Sequence, residues 1–389
     1  NPQSPIPIMK SIFIDSKLKI INKIYYMNDN INNEQNKSNG YISKIEHKFK
    51  KNPNLKFKYI ITENNDNFGM NDIFEVYILN KDNKGYIASP NKNNFYLDIY
   101  ILLNNEKLLS LKDHQNRITS VRYFINNKDN NEYLISSDEN KIVIVWDIND
   151  NYGIKKKINT KYGDSIFSCL MIFPINENDN YIILSTLSCN DITKDSSENI
   201  ERSATKIYSF YQDKFIDFIK ISIYYEIFYL LSWYDKTFKD YYVIQLTKRY
   251  ALLNNLKNNN TCNFLKQKKD DIICCGFIYI CNDNDYLFCS TKHGFINIWN
   301  LNSKDIFKFI NLNKSNPYYI SEWNEKYIIR SDFDNISIKI LDTENNKVIS
   351  NIKRNKNSPI KCLKKIYHPI YGESLITADN DNEVKLWII

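Results

Sequence analysis

Residues 132–147 read EYLISSDENKIVIVWD, and this stretch decides the fold. An apolar segment leads into a short polar turn, and a second apolar segment follows it. The second segment is rich in β-branched residues, which pack well in strands, and it ends in Trp146 and Asp147. The stretch therefore predicts a β-hairpin of two buried strands joined by a polar turn.

The same arrangement recurs three times further along the chain. Its copies are YLFCSTKHGFINIWN at Tyr286–Asn300, YIIRSDFDNISIKILD at Tyr327–Asp342 and SLITADNDNEVKLW at Ser374–Trp387. Internal repetition of this kind predicts a stack or ring of similar β units. Weaker matches bring the predicted third strands of such units to seven, near 96–102, 142–146, 205–210, 241–246, 295–299, 336–341 and 383–387.

These repeats resemble those of the WD-repeat β-propeller family. A blade of that family carries a His in the loop entering the blade, a Ser or Thr on its second strand, an Asp in the next turn and Trp-Asp closing its third strand. Here His114, Ser136 and Trp146-Asp147 match, and Asn140 is predicted to stand at the Asp position. The resemblance implies an all-β, seven-bladed propeller, with an eight-bladed ring as the alternative.

Other repeats keep parts of the set. The last repeat supplies Thr377, Asp381 and Trp387, whereas the repeat ending at Trp299 has different residues at the Ser and Asp positions, namely Cys289 and His293. No blade is predicted to carry the complete set. Such side chains can bond to one another across three strands and fix their register, so we expect a structural role for them. The predicted network residues are His114, Ser136, Trp146, Asp147, Trp299, Thr377, Asp381 and Trp387.

The ends of the propeller follow from the last repeat. The sequence stops directly after the predicted third strand, so that blade lacks an outer strand. The segment Leu55–Thr62, LKFKYIIT, is the natural donor, because it would close the ring and leave no long sheet edge exposed. We therefore expect a propeller over residues 55–389 and a partly ordered N-terminal extension over residues 1–54.

The composition limits the classes of partner. The formal net charge is +7, and lysine supplies most of the positive charge, since arginine stands at only six positions. Arginine makes two-pronged contacts with phosphates and bases, so its scarcity argues against nucleic-acid binding. The most apolar window, Phe215–Trp233, contains Asp217, Lys220 and Glu226, which argues against a transmembrane segment. Binding to a membrane surface stays open.

The cysteines and the missing motifs limit location and chemistry. The eight cysteines form no C-x-x-C pair, and several lie in apolar runs, so we expect reduced thiols in an intracellular, cytoplasmic protein. The sequence has no phosphate-binding glycine loop, no H-E-x-x-H and no G-x-S-x-G. Its four histidines are scattered. We therefore expect no catalysis, no cofactor and no metal.

What remains is surface, and two long loops are predicted on it. Residues 187–204 interrupt the third blade, and residues 257–271 join the fourth blade to the fifth. Long loops on a rigid scaffold often carry function, so we expect a protein-interaction scaffold. The predicted partner site, on the second loop, consists of Phe264 as an apolar anchor and three lysines that contact an acidic segment, Lys266, Lys268 and Lys269. The alternative is binding of anionic lipid or nucleic acid by these lysines.

Overall fold

A computed structural model gives the architecture. It describes residues 58–59, 75–79, 84–91, 94–102, 106–126, 130–160, 165–172, 180–188, 202–219, 227–247, 249–256, 262–266, 272–280, 284–312, 317–323, 327–332, 337–353, 360–368, 372–379 and 384–388. Within these residues every regular element is a β-strand, and none is a helix that could cross a membrane. The predicted extension, residues 1–54, lies outside the described residues.

The strands form seven antiparallel sheets of four, which we call blades 1 to 7. Blade 1 consists of β2 (Glu75–Ile78), β3 (Gly85–Pro90), β4 (Leu97–Ile101) and β5 (Lys107–Leu111). Blade 2 consists of β6 (Ile118–Ile125), β7 (Glu132–Asp138), β8 (Ile142–Asp147) and β9 (Gly153–Asn159). Blade 3 consists of β10 (Ser165–Ile172), β11 (Tyr181–Ser188), β12 (Arg202–Ser209) and β13 (Lys214–Ile219), and blade 4 consists of β14 (Ile227–Asp235), β15 (Asp240–Thr247), β16 (Tyr250–Asn255) and β17 (Cys262–Lys266).

Blades 5 to 7 follow in the same order. Blade 5 consists of β18 (Ile273–Ile280), β19 (Asp285–Thr291), β20 (Phe295–Asn300) and β21 (Asp305–Asn311). Blade 6 consists of β22 (Pro317–Glu322), β23 (Tyr327–Asp332), β24 (Ser337–Asp342) and β25 (Lys347–Lys353). Blade 7 consists of β26 (Ile360–His368), β27 (Gly372–Asp379) and β28 (Val384–Ile388), and β1 (Lys58–Tyr59) is its fourth strand. The innermost strands of successive blades contact one another from β2 through to β26. Blades 1 and 7 share an apolar cluster that includes Val76 and Ile366, so the blades form a closed ring.

The structure confirms the seven-bladed propeller and its closure. Strand β1 pairs with β28, with Tyr59 opposite Trp387, so the segment predicted to donate the outer strand does so. Six of the seven predicted third strands are third strands. The fourth prediction is wrong, because residues 241–246 lie in β15, the second strand of blade 4. The third strand is β16, which begins after a turn of only two residues and carries no tryptophan.

The core lies between blades. Leu134, Ile144 and Trp146 of blade 2 pack against Leu97 and Ile99 of blade 1, and the opposite side of blade 2 packs against blade 3. Since both sides of each sheet are covered, the central strands are almost continuously buried. This explains why the deciding hairpin carries apolar residues on both of its faces.

Connections leave each blade on two sides. The loops that enter the blades and the turns between second and third strands share one side, which we call the top face; residues 112–117 and 139–141 lie there. The remaining turns form the bottom face, as residues 148–152 do in blade 2. Outer strands carry a bulge in blades 1, 2, 3, 5 and 6, which makes an exposed edge a poor template for pairing with another strand.

Candidate functional site

Blade 2 holds a continuous polar network inside its apolar core. The Trp146 indole N–H donates to Ser136 Oγ at 2.8 Å, and Ser136 Oγ lies 2.7 Å from His114 Nε2. His114 Nδ1 lies 2.8 Å from Asp138 Oδ2, and a carboxylate can only accept, so Nδ1 donates. With Nδ1 as the donor to Asp138, Nε2 can accept a hydrogen bond from the Ser136 hydroxyl. Two strands, β7 and β8, and the top-face loop are thereby joined through four buried side chains.

The carboxylate of this network is Asp138 rather than a residue at position 140. Asp138 ends β7 opposite Ile118, and its second oxygen accepts the backbone N–H of Ile142 at 3.0 Å. Asn140, which the repeat spacing assigns to the family's Asp position, is two residues away from this carboxylate. With Asp138 in that role, blade 2 joins a His, a Ser, an Asp and a Trp in one network. His293 is displaced by the same two residues, and Asp381 lies outside the described residues. In strand register, the counterparts of Asp138 are Thr291 in blade 5 and Asp379 in blade 7.

Asp147 has a different role from the network residues. Its Oδ1 accepts the backbone N–H groups of Asn149 and Asp150 at 3.1 and 3.3 Å, which fixes the turn into the outer strand. Asn300 in blade 5 and Asp342 in blade 6 make the same pair of bonds. The residue after the tryptophan therefore shapes the bottom-face turn, and asparagine serves as well as aspartate.

Blades 7 and 5 keep less of the network. In blade 7 the Trp387 indole N–H donates to Thr377 Oγ1 at 2.8 Å, as in blade 2. In blade 5 Cys289 holds that position, and the buried Trp299 indole N–H has no hydrogen-bond partner among the described residues. Burial raises the pKa of the Cys289 thiol, so it stays protonated.

Blade 4 replaces the serine and tryptophan with two amides. Asn254 Nδ2 donates to Gln245 Oε1 at 2.9 Å, and Gln245 Nε2 donates to Thr205 in blade 3. Thr247, at the Asp position, accepts the backbone N–H of Tyr250 at 2.9 Å. The side-chain hydrogen bonds of blade 4 thus connect it to blade 3, whereas those of blade 2 connect to a histidine in its own entering loop.

The innermost strands bring together charges that sequence reasoning missed. Glu75 of blade 1 accepts a bond from Lys364 Nζ of blade 7, and its other oxygen lies 3.9 Å from Arg122 Nη1 of blade 2. The Arg122 guanidinium lies 5.1 Å from the Tyr229 ring centroid of blade 4, so it reaches across the central channel. Ile118, Val121, Ile360 and Leu363 on the first strands are buried apolar residues, but the same strands also carry these charges. The sequence feature that could have predicted this cluster is a charged residue at the same first-strand position in three consecutive blades, 7, 1 and 2.

Family and structure comparisons agree with this geometry. The model of the WD domain, G-beta repeat, matches residues 105–147, which include the whole blade 2 network. A chain in the crystal structure of BBS1N in complex with ARL6DN, soaked with lead, superimposes with a TM-score of 0.63 at 8% identity, over 85% of this chain and 96% of that one. The chain is a seven-bladed β-propeller with a WD repeat over residues 105–147. No curated protein sequence matches it.

The ring places two of the four predicted partner residues on an outer strand. Phe264 and Lys266 lie in β17, with Phe264 opposite Leu252 and Lys266 opposite Tyr250. The prediction that 257–271 is one loop was therefore wrong for Cys262–Lys266, which completes blade 4. Lys268 and Lys269 lie outside the described residues. So do residues 189–201, while the flanks of the other predicted loop belong to β11 and β12.

Proposed function

We propose that this WD-repeat propeller is a non-catalytic scaffold that binds other proteins. The observation that carries the proposal is the burial of the one group of side chains that resembles a catalytic site. Asp138, His114 and Ser136 are the three residue types of a hydrolase triad, in hydrogen-bonding order. All three are buried and Ser136 Oγ also accepts the Trp146 N–H, so no substrate reaches the hydroxyl. The arrangement supports a structural role and leaves the ring's outer surface for function.

Within that function, we assign partner contact to the periphery of blade 4. Phe264 and Lys266 belong to its outer strand, at the rim of the ring, and Lys268 and Lys269 follow it directly. Four residues of this composition suit an acidic partner segment with one apolar side chain. Among the described residues Cys274, Cys275 and Cys289 carry thiols and not disulfides, which supports work in a reducing cytoplasmic compartment.

The test is quantitative capture of partner proteins from the source cell. The variant Lys266→Ala/Lys268→Ala/Lys269→Ala is compared with the intact chain and with a control that removes three exposed outer-strand lysines elsewhere, Lys155→Ala/Lys214→Ala/Lys347→Ala. Loss of two or more charge contacts should lower specific recovery about tenfold in the first variant only. Equal recovery from all three proteins would contradict the blade 4 assignment, and no specific partner for the intact chain would contradict the scaffold itself.

A further inference from the structure

Three charged side chains of the innermost strands meet at one level of the central channel, which we call the charged level. Lys364 of blade 7 bonds to one oxygen of Glu75 in blade 1, and Arg122 Nη1 of blade 2 lies 3.9 Å from the other. The side chains of Lys364, Arg122 and Glu75 are 36%, 21% and 11% exposed, so water reaches all three but screens their charges only in part. Two cations therefore share one carboxylate in a partly buried setting.

The other blades add no charge at the charged level. In blades 2 to 7 this position lies four residues after the last residue that pairs before the bulge of the innermost strand. In blades 3 to 6 uncharged residues hold it, namely Leu170, Leu231, Phe277 and Ser321. Counted over all seven innermost strands, the charged level has two cations and one carboxylate.

The remaining carboxylates on the described innermost strands have other contacts. Asp235 ends β14 on the bottom face, where it accepts two backbone N–H groups of the following turn. Glu322 interacts with Lys365 and Glu373, and Lys365 Nζ lies 2.8 Å from Glu373 Oε1. Lys364 and Lys365 are consecutive in β26 and so point to opposite faces of the sheet. Among the residues that the structure describes, the charged level thus keeps one surplus positive charge.

Glu75 itself shows which kind of group fits between the two cations. Its two oxygens reach Lys364 and Arg122 separately, so an oxyanion the size of a carboxylate is large enough to bridge them. An ammonium and a guanidinium carry several N–H donors each, which allows them to contact a second oxyanion on the channel side while they keep Glu75. The Tyr229 ring, with its centroid 5.1 Å from the guanidinium, holds Arg122 in the channel. The charge and the donors of the charged level both match an oxyanion.

We propose that the central channel binds an oxyanion, a carboxylate or a phosphate, between Arg122 and Lys364. A second anion balances the charged level, where a partly buried positive charge otherwise lacks full hydration. The ligand is a free anion or the same group at the end of a peptide that enters the channel, since both present the same oxygens. This site does not depend on the partner contact assigned to the rim of blade 4.

The test is calorimetric titration with inorganic phosphate and with acetate, each at an ionic strength held constant with chloride. Phosphate should bind the intact chain and raise its unfolding temperature. Arg122→Gln and Lys364→Gln should each weaken binding about tenfold, because each removes one of the two attracting charges. The matched control is Lys214→Gln, which removes an exposed lysine from the outer strand of blade 3 and should leave binding unchanged.

Glu75→Gln should change the affinity in the opposite direction. It removes the carboxylate that competes for both cations, so phosphate should bind about tenfold more tightly, a gain that a folding defect cannot produce. Acetyl-triglycine and its C-terminal amide distinguish the two sources. A peptide end is indicated if only the free acid binds more tightly than acetate, and a free anion is indicated if acetate binds equally well. No binding of phosphate or acetate by the intact chain would overturn the proposal, as would binding by Glu75→Gln that is no tighter, or an equal loss in Lys214→Gln.

Discussion

Blades 2 and 5 have the same strand pairing and different interiors. In blade 2 the third-strand tryptophan donates to Ser136, which is opposite Val121. In blade 5 the tryptophan has no acceptor, and Cys289 is opposite Gly276. A Cβ on Gly276 would lie 2.9 Å from the Cys289 sulfur, so glycine makes room for the larger atom. Blade 5 has thus exchanged a polar bond for closer packing.

The comparison separates what builds a blade from what the polar network adds. Both blades bury their tryptophan and pair all four strands, so backbone hydrogen bonds and apolar packing suffice to form the sheet. Both also fix the turn before the third strand, because Thr291 Oγ1 accepts the Phe295 N–H at 3.2 Å, as Asp138 does for Ile142. What blade 5 lacks is the link to a loop histidine. The network therefore anchors the top-face loop of blade 2 and is not required for the fold of a blade.

The largest effect is expected at the carboxylate of blade 2. Asp138→Ala removes the acceptor of His114 and of the Ile142 N–H, leaving two buried donors, and should lower the free energy of unfolding by about 3 kcal/mol. Asn140→Ala, in the turn beyond the network, should change it by less than about 0.5 kcal/mol. Urea unfolding followed by tryptophan fluorescence compares the two. A larger loss for Asn140→Ala than for Asp138→Ala would mean that position 140, and not 138, serves the network.

A smaller difference is expected between the two second-strand positions. Ser136→Ala leaves the Trp146 N–H and His114 Nε2 without partners and should cost about 2 kcal/mol. Cys289→Ala breaks no hydrogen bond to its tryptophan and should cost about 0.8 kcal/mol, the value of one buried methylene-sized group. Urea midpoints at constant slope give both numbers. If Cys289→Ala lowered the free energy of unfolding by more than this, packing of the Cys289 sulfur would be essential to the stability of blade 5.

Blade 5 can be given the missing bond. Cys289→Ser places a hydroxyl where Ser136 and Thr377 accept their indole protons, and should raise stability by about 1 kcal/mol. The gain should vanish in the Trp299→Phe background, and a double-mutant cycle on thermal unfolding measures that coupling. A gain that persists without the indole would show that the hydroxyl bonds elsewhere.

The smallest effect on stability is expected for the lysine side chains that connect the outer strand of one blade to the next blade. Lys156 of blade 2 donates to the Phe210 carbonyl of blade 3 and lies 2.7 Å from Asp213, while Lys308 of blade 5 bonds only to carbonyls of blade 6. The hydrogen bond from Lys156, with that from Tyr208, lowers the pKa of Asp213.

A carboxyl with a lowered pKa contributes stability above its unfolded pKa and loses it as pH falls through the folded value. Asp213→Asn should therefore be slightly less stable than the intact chain at pH 7, and the gap should narrow as the pH falls below the ordinary pKa of an Asp carboxyl. Urea midpoints across that range test it. A gap that widens on acidification is incompatible with this pairing, and Lys308→Ala should show no such pH dependence.

The sequence predicts blades well where apolar packing repeats and poorly where polar positions decide. Trp146, Trp299 and Trp387 each mark a third strand, so those blades were assigned correctly. Blade 4 has Asn254 at the tryptophan position, so its second strand was mistaken for its third. The repeat spacing assigns Asn140 to the Asp position, and it does not show that the side chain of Asp138 reaches His114.

The surface was harder to predict than the core. The channel charges of Glu75, Arg122 and Lys364 come from three distant segments, and only the register of three innermost strands brings them together. Phe238 lies in an aromatic-rich stretch that gave no repeat signal, and its exposure depends on the Asp235 turn. Solvent exposure at a hairpin tip is a property of the tertiary fold, which the local pattern does not contain.

The pairing of β1 with β28 also determines when the ring can close during protein synthesis. A ribosome delivers β1 at the start of the propeller segment and its partner only at the end, so every other blade can assemble before blade 7 has its fourth strand. Contacts this distant in sequence form slowly, and until then the nascent chain carries strand edges open to wrong partners. Ring closure therefore follows the synthesis of β28, and we expect the chain to need most protection from aggregation in the interval before it.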